Sequence, residues 1–261
     1  MRAPWWPPVR RSTLERMDTT NSTVFIPGAT SGIGLALAQR LQAAGSTVVI
    51  GGRRQDRLDA LAAEHGFDTV AVDVADAASV RDASAAVLER HPDLDTLVTM
   101  SGIMRNEDLR DPGHIEDAVA TIETNLLGTI RLIDAFLPHL LTRPTTTVVT
   151  VSSGLAFVPL TATPTYSATK AAVHSYTQAL RQQLVGSDVA VVELAPPAVE
   201  TDLMGGQDFG GMPLDVFADE VMTLLASGAD EVLVENVQPL RWAERDGTHR
   251  QILEAMAGRG H

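Results

Sequence analysis

Residues 23–34 read TVFIPGATSGIG. An apolar run enters a turn with glycines at 28, 32 and 34, and the helical pattern GIGLALAQRLQAA (32–44) leaves it, ending at Gly45. A strand that passes through a glycine-rich turn into a helix start is a receptor for a pyrophosphate, because backbone N–H groups and the helix dipole both favour negative charge there. An ordinary strand–helix turn is the bland alternative, but both flanks are those the binding reading requires. Gly28, Thr30, Ser31, Gly32, Ile33 and Gly34 are therefore assigned to cofactor binding.

Working outward, the alternation continues. TVVIG (47–51) leads to a helix over 55–64, TVAVD (69–73) to a helix over 77–91, and LDTLVTM (94–100), through a loop, to a long helical stretch over roughly 114–140. TTTVVTVSS (145–153) is β-branched at nearly every position, the mark of a strand buried on both faces. A helix over 164–184, the strand VAVVEL (189–194), a helix over 214–227 and the run EVLVE (231–235) complete the series. Alternating strands and helices pair in parallel through right-handed crossovers. The expected class is α/β: a single-domain Rossmann-type doubly wound parallel sheet of about seven strands flanked by helices. That domain spans 21–261 and carries a substrate flap at about 200–213 (ETDLMGGQDFGGMP). Residues 1–20 are read as a flexible N-terminal extension, of which 1–16 hold two tryptophans, three prolines and four arginines.

The composition removes other classes. The 261 residues carry a net charge of −13, which argues against nucleic acid as a partner. There is no cysteine, hence no disulfide framework, thiolate metal site or cysteine nucleophile. The seven histidines show no metal-ligand spacing. The best apolar stretch, 147–160, is interrupted by Thr150, Ser152, Ser153 and Gly154, so no membrane span is expected. A soluble globular protein remains, with the cytoplasm as its expected location.

The end of the second strand bears on the cofactor. A carboxylate there would bond a ribose 2′-hydroxyl and repel a 2′-phosphate. The sequence instead reads Gly51-Gly52-Arg53-Arg54, and Arg53 suits a phosphate. NADP(H) is preferred, with NAD(H) possible; Arg54 reads as a solvated helix start. Asp73 could meet the adenine edge.

Tyr166 and Lys170 stand four apart in YSATK and so share a helix face. Lys170 is the only lysine among 20 basic residues. Ser153 closes the fifth strand, and Asn125 lies in ETNLLG within the long helix. With the glycine turn, this ordered set resembles the short-chain dehydrogenase/reductase family over roughly residues 22–236. Within it, VSSGLAFVP, PTYSATKAAVHSYTQALR and PPAVETDLM look most like the DltE-type oxidoreductases.

The resemblance implies hydride transfer between NADP(H) and a ketone/secondary alcohol or aldehyde. Tyr166 would be the general acid/base and Lys170 the ammonium that lowers its pKa and holds the nicotinamide ribose. Ser153 would orient the substrate oxygen, and Asn125, through its carbonyl and a water, would open a proton path. Further cofactor contacts are implied at Val74, Ser101, Gly102, Pro196, Val199 and Thr201, beside Tyr166 and Lys170. The sequence departs from the family pattern at Pro27, at Thr99-Met100-Ser101-Gly102 and at Pro196-Pro197. The resemblance also suggests a homodimer or homotetramer packed through 114–140 and 164–184. His174 reads as a packing or subunit contact, and Met100 and Met104 as core or pocket lining. Two rivals stand beside this reading: a catalytically silent NADP(H)-binding regulatory or scaffolding protein, and an epimerase or dehydratase on the same fold.

Overall fold

β1 (Thr23–Pro27) is buried at every position, because Val24 and Ile26 face one apolar layer while Phe25 faces another. It belongs to a seven-stranded parallel sheet of order β3-β2-β1-β4-β5-β6-β7. The remaining strands are β2 (Thr47–Gly52), β3 (Asp68–Ala71), β4 (Thr96–Thr99), β5 (Thr146–Val151), β6 (Val189–Leu194) and β7 (Glu231–Val232). The structure, a computed structural model, describes residues 17–201, 203 and 210–257. Residues 1–16 and, within the expected flap, 202 and 204–209 lie outside the described residues.

One face of the sheet is covered by α1 (Gly32–Ala44), α2 (Gln55–His65) and α7 (Leu214–Leu225), which contribute Leu37, Leu41, Leu58, Phe217 and Val221. The other is covered by α3 (Ala77–Arg90), α5 (Gly128–Leu140) and α6 (Pro164–Gln183), with Val87, Leu132, Phe136 and Leu180. Phe25 and Phe136 join strand to helix with ring centroids 5.2 Å apart. Burial of each such side chain stabilises the fold by about 2–3 kcal/mol. Both faces being covered explains why the strands read as continuous apolar runs.

The long helical stretch is not one regular helix. α4 (His114–Ile122) passes through a π-helical turn, Glu123–Leu127, into α5, with Gly128 N donating to Glu123 O. Buried positions keep three- and four-residue spacing on both sides of this turn, so the apolar pattern does not mark it. β3 and β4 are shorter than expected, and of EVLVE only Glu231–Val232 pairs. Two helices lie beyond the expected series, α8 (Gln238–Arg241) and α9 (His249–Ala257).

The expected boundary at residue 21 also moves. Met17 is 5% exposed within the core, and Ser46 Oγ donates to Thr19 O at 3.1 Å, so residues 17–20 pack on the domain. No described helix is long and apolar enough to cross a membrane. The chain leaves β1 toward β2 and β3 and returns across to β4, so strand order reverses between β1 and β4. In open α/β sheets, ligands bind in the crevice beyond that point.

Candidate active site

The crevice is closed from below by contact between two loops. Gly28 has φ +95°, and a Cβ there would lie 2.6 Å from the backbone nitrogen of Ser101 after β4. Only glycine permits both the left-handed backbone and this approach. At Gly34 a Cβ would lie 2.7 Å from Gly28 O and 2.9 Å from Met100 Cγ. The N-terminus of α1 is open: Ser31 caps it in extended conformation without a side-chain hydrogen bond, and the first turn holds no acid. Its N–H groups are therefore presented with uncompensated positive character to the cavity that Ser31, Gly32, Ile33 and Gly34 line. These residues fit the diphosphate of a dinucleotide.

Around that cradle, Thr30 packs over Gly52, where a Cβ would lie 2.6 Å from Thr30 Cγ2. Arg57, which the sequence reading passed over, donates from Nε to Thr30 O at 3.2 Å. Arg53 and Arg54 are exposed, and Arg54 occupies the N-cap of α2. Asp73 lies beyond the end of β3, its Oδ1 accepting from Ala75 N at 3.0 Å. Val74 is buried against Gly128. Thr30, Arg53, Asp73, Val74 and Ser101 lie outside the cavity lining, whereas Gly28, Gly102, Pro196, Val199 and Thr201 are part of it. Thr201 faces Gly32, whose Cβ position lies 3.5 Å from the threonine side chain. The ends of the expected flap are pinned together by Met212 N donating to Ala198 O at 2.8 Å and Glu200 N to Met212 O at 3.0 Å.

The cavity, of about 570 Å³, brings Ser153, Tyr166 and Lys170 onto one wall. Lys170 donates to Val151 O at 2.9 Å, tying α6 to the end of β5, and its Nζ lies 5.5 Å from the centroid of the Tyr166 ring. Burial pushes the Tyr166 phenol up to about 12, against the opposing effect of a hydrogen bond with the Ser153 hydroxyl. Burial pushes the Lys170 ammonium down to about 8. Ser153 Oγ also accepts from Leu155 N at 3.1 Å, which fixes its direction.

Asn125 sits inside the π-helical turn, fully buried and off the cavity wall. Its Oδ1 accepts from Ile103 N at 2.8 Å, and its Nδ2 donates to Ile103 O at 2.9 Å and Thr169 Oγ1 at 3.3 Å. Gly102 lies between Asn125 and Lys170, its Cβ position 3.4 Å from Asn125 Oδ1 and 3.8 Å from Lys170 Nζ.

Behind this wall lies a buried acid. Glu193 accepts from Ser152 Oγ at 2.5 Å and pairs with His174, one turn beyond Lys170 on α6. His174 thus has an internal partner, and its ring packs edge-on against Phe157. Glu231, bonded bidentately by Arg241, completes the cluster. The signal available in the sequence was an ionisable residue in the middle of VAVVEL.

Residues 22–208 match the short chain dehydrogenase family model. The chain is 38% identical over 249 residues, 92% of its length and 98% of the relative's, to the uncharacterized oxidoreductase DltE of Bacillus subtilis. It superposes on a short chain dehydrogenase of Burkholderia cenocepacia in complex with NADP with a TM-score of 0.80, at 26% identity, covering 92% of this chain and 98% of the other. An alcohol dehydrogenase of Thermococcus sibiricus complexed with 5-hydroxy-NADP gives a TM-score of 0.70 at 30% identity, covering 78% of this chain and 90% of that one.

Proposed function

The chain belongs to the short-chain dehydrogenase family, and from that membership we propose that it is an NADP(H)-dependent oxidoreductase that interconverts a ketone and a secondary alcohol, or reduces an aldehyde. The observation that carries the reading is the convergence of Ser153, Tyr166 and Lys170 on one wall of the cavity that the glycine cradle opens into.

A bound nicotinamide supplies or accepts the hydride; the rest is the work of the chain. The Ser153 hydroxyl bonds the substrate oxygen. A phenol held near 12 is fully protonated at neutral pH, so in the reductive direction Tyr166 delivers its proton to that oxygen. The phenolate that results is stabilised by the Lys170 ammonium, whose position is set by Val151 O. Asn125 holds Ile103 and the π-helical turn in place, and its backbone carbonyl, which also accepts from Thr129 Oγ1 at 2.9 Å, would link Lys170 to solvent through a water.

The preference for NADP(H) is supported by the absence of an acid at Gly51-Gly52, by Arg53, and by Arg57 at the edge of the cradle; NAD(H) remains a competitor in the test below. Asp73 and Val74 would border the adenine, and Thr201 the nicotinamide amide. An exposed stripe on α4, formed by Ile115, Val119 and Ile122, supports a homodimer or homotetramer. The acidic, cysteine-free composition suits a cytoplasmic enzyme whose partner is a small carbonyl compound, with 1–16 dispensable.

The test is NADPH oxidation across a panel of ketones and aldehydes with the wild type and Tyr166→Phe. Loss of the phenol should cut kcat by 10²–10⁴-fold with cofactor affinity retained. Cofactor binding without turnover, insensitive to Tyr166→Phe, would leave a silent binding protein instead.

A further inference from the structure

The residue after Ser153 is a glycine for want of space. Gly154 is buried, and its N–H donates to Pro196 O at 2.8 Å. A Cβ on it would lie 2.7 Å from Leu240 Cδ1 and 2.9 Å from Val237 Cγ2. Val237 is fully buried and has no room to retreat, so a side chain at 154 would push the segment 237–241 away from the end of β5. The glycine lets a residue near the far end of the chain come down beside the serine that holds the reacting oxygen.

Leu240 lies on α8, which is only four residues long yet firmly fastened. Arg241 bonds Glu231 of β7 through Nε at 2.7 Å and Nη2 at 3.0 Å. Its guanidinium also lies over the rings of Phe157 and Trp242, 4.9 Å and 4.3 Å from their centroids. Gln238 Nε2 donates to Leu233 O at 3.1 Å, and its Oε1 accepts from Trp242 Nε1 at 2.7 Å. A forked cation that is bonded bidentately and stacked on aromatic faces has little freedom. Leu240 is therefore presented from a rigid mount.

Its side chain lines the cavity and is only half-buried, so a molecule in the cavity touches it directly. Consecutive Cα atoms are about 3.8 Å apart. With a methyl against Gly154, Leu240 thus stands close to whatever Ser153 holds, and a group attached to the reacting carbon meets it first. Leu155, from the same turn as Gly154, lines the cavity beside it. An aliphatic side chain offers no hydrogen bond, so what it reads is bulk: a group that overlaps it has to displace a packed side chain.

Resting on the reductase reading, we propose that Leu240 is a specificity-determining residue. It limits the substituent on the α8 side of the reacting carbon to hydrogen or a small aliphatic group, so aldehydes and methyl ketones are preferred to ketones whose carbonyl lies further along the chain.

The experiment measures kcat/KM with NADPH for 2-octanone, 3-octanone and 4-octanone, isomers alike in hydrophobicity that differ in the groups flanking the carbonyl. The wild type should favour 2-octanone over 4-octanone by about tenfold or more, the value of a misplaced methylene in an apolar pocket. Leu240→Ala should raise the 4-octanone-to-2-octanone ratio by about tenfold. Leu240→Met, of similar volume, should keep it near the wild-type value. Because the readout is a ratio within each preparation, partial misfolding does not disturb it. Equal kcat/KM for the three isomers in the wild type, a ratio unmoved by Leu240→Ala, or a rise in Leu240→Met as large as in Leu240→Ala would overturn the assignment while leaving the reductase reading intact. So would reduction of other carbonyl compounds with none of the octanones accepted. Absence of turnover with every ketone and aldehyde would overturn both.

Discussion

His174 stands one turn beyond Lys170 on α6, and its Nδ1 lies 2.9 Å and 2.8 Å from the two oxygens of Glu193, a residue only 1% exposed on β6. α6 is thereby held to the sheet at three levels: Tyr166 by Ser153, Lys170 by Val151 O, and His174 by Glu193. Removing His174 takes one hydrogen-bond partner from a buried carboxyl that keeps its bond from Ser152 Oγ, at a cost of about 1–3 kcal/mol. His174→Ala is expected to lower the unfolding free energy by about that amount in urea denaturation. Adding Glu193→Gln should recover part of the loss. Strictly additive effects of the two substitutions would mean that the residues are not coupled.

The Lys170 ammonium gives the fold a defined pH dependence. Burial lowers its pKa from 10.5 to about 8. Between those values the unfolded chain binds more protons than the native state, so stability rises with pH across this window. The contribution is a penalty, fully present below pH 8 and relieved above about 10.5, on the order of 3 kcal/mol. Lys170→Met should flatten the rise of the urea midpoint between pH 8 and 10. The Tyr166 phenol, pushed up to about 12, acts in the opposite sense and only above pH 10, where its ionisation favours unfolding. A slope over pH 8–10 that is identical in wild type and Lys170→Met would contradict the assignment.

Arg53→Ala should weaken NADPH binding by roughly tenfold or more, the value of one charge-assisted phosphate contact, and leave NADH binding nearly unchanged. Arg57→Ala should weaken both cofactors modestly, since it loosens Thr30 O in the shared cradle. Calorimetric titration of each variant with both nucleotides decides this. Equal losses for NADPH and NADH in Arg53→Ala would show that the side chain does not read the 2′-phosphate.

Val119 is 53% exposed on α4, between Ile115 at 57% and Ile122 at 40%. A charge placed in the middle of an apolar subunit contact is costly, so Val119→Arg should shift the protein toward monomer in light-scattering measurements. An unchanged mass at micromolar concentration would remove this face from the assembly.

What the sequence made legible was local. The glycine turn, the spacing of Tyr166 and Lys170, and the β-branched β5 are each contained in a short window, and the structure places them in one cavity. What escaped depends on pairs far apart in the chain. Glu193 meets Ser152 across 41 positions, and Glu107 meets Thr165 across 58. No periodicity encodes such partners. The cap of α6 illustrates the point: Thr163 occupies the position at which a threonine commonly caps, yet a distant glutamate does so instead. The π-helical turn at Asn125 escaped for a different reason, since the buried positions on either side of it keep three- and four-residue spacing.

A single lysine has a practical consequence. The chain's only ε-amino group is 5% exposed, inside the cavity, with its pKa near 8. An amine-acylating reagent that modifies a side chain at mildly alkaline pH therefore has one target, and reaching it requires entry to the pocket. Once acylation of the α-amino group is subtracted, intact mass reads as an occupancy gauge, counting protein molecules whose pocket was open when the reagent arrived.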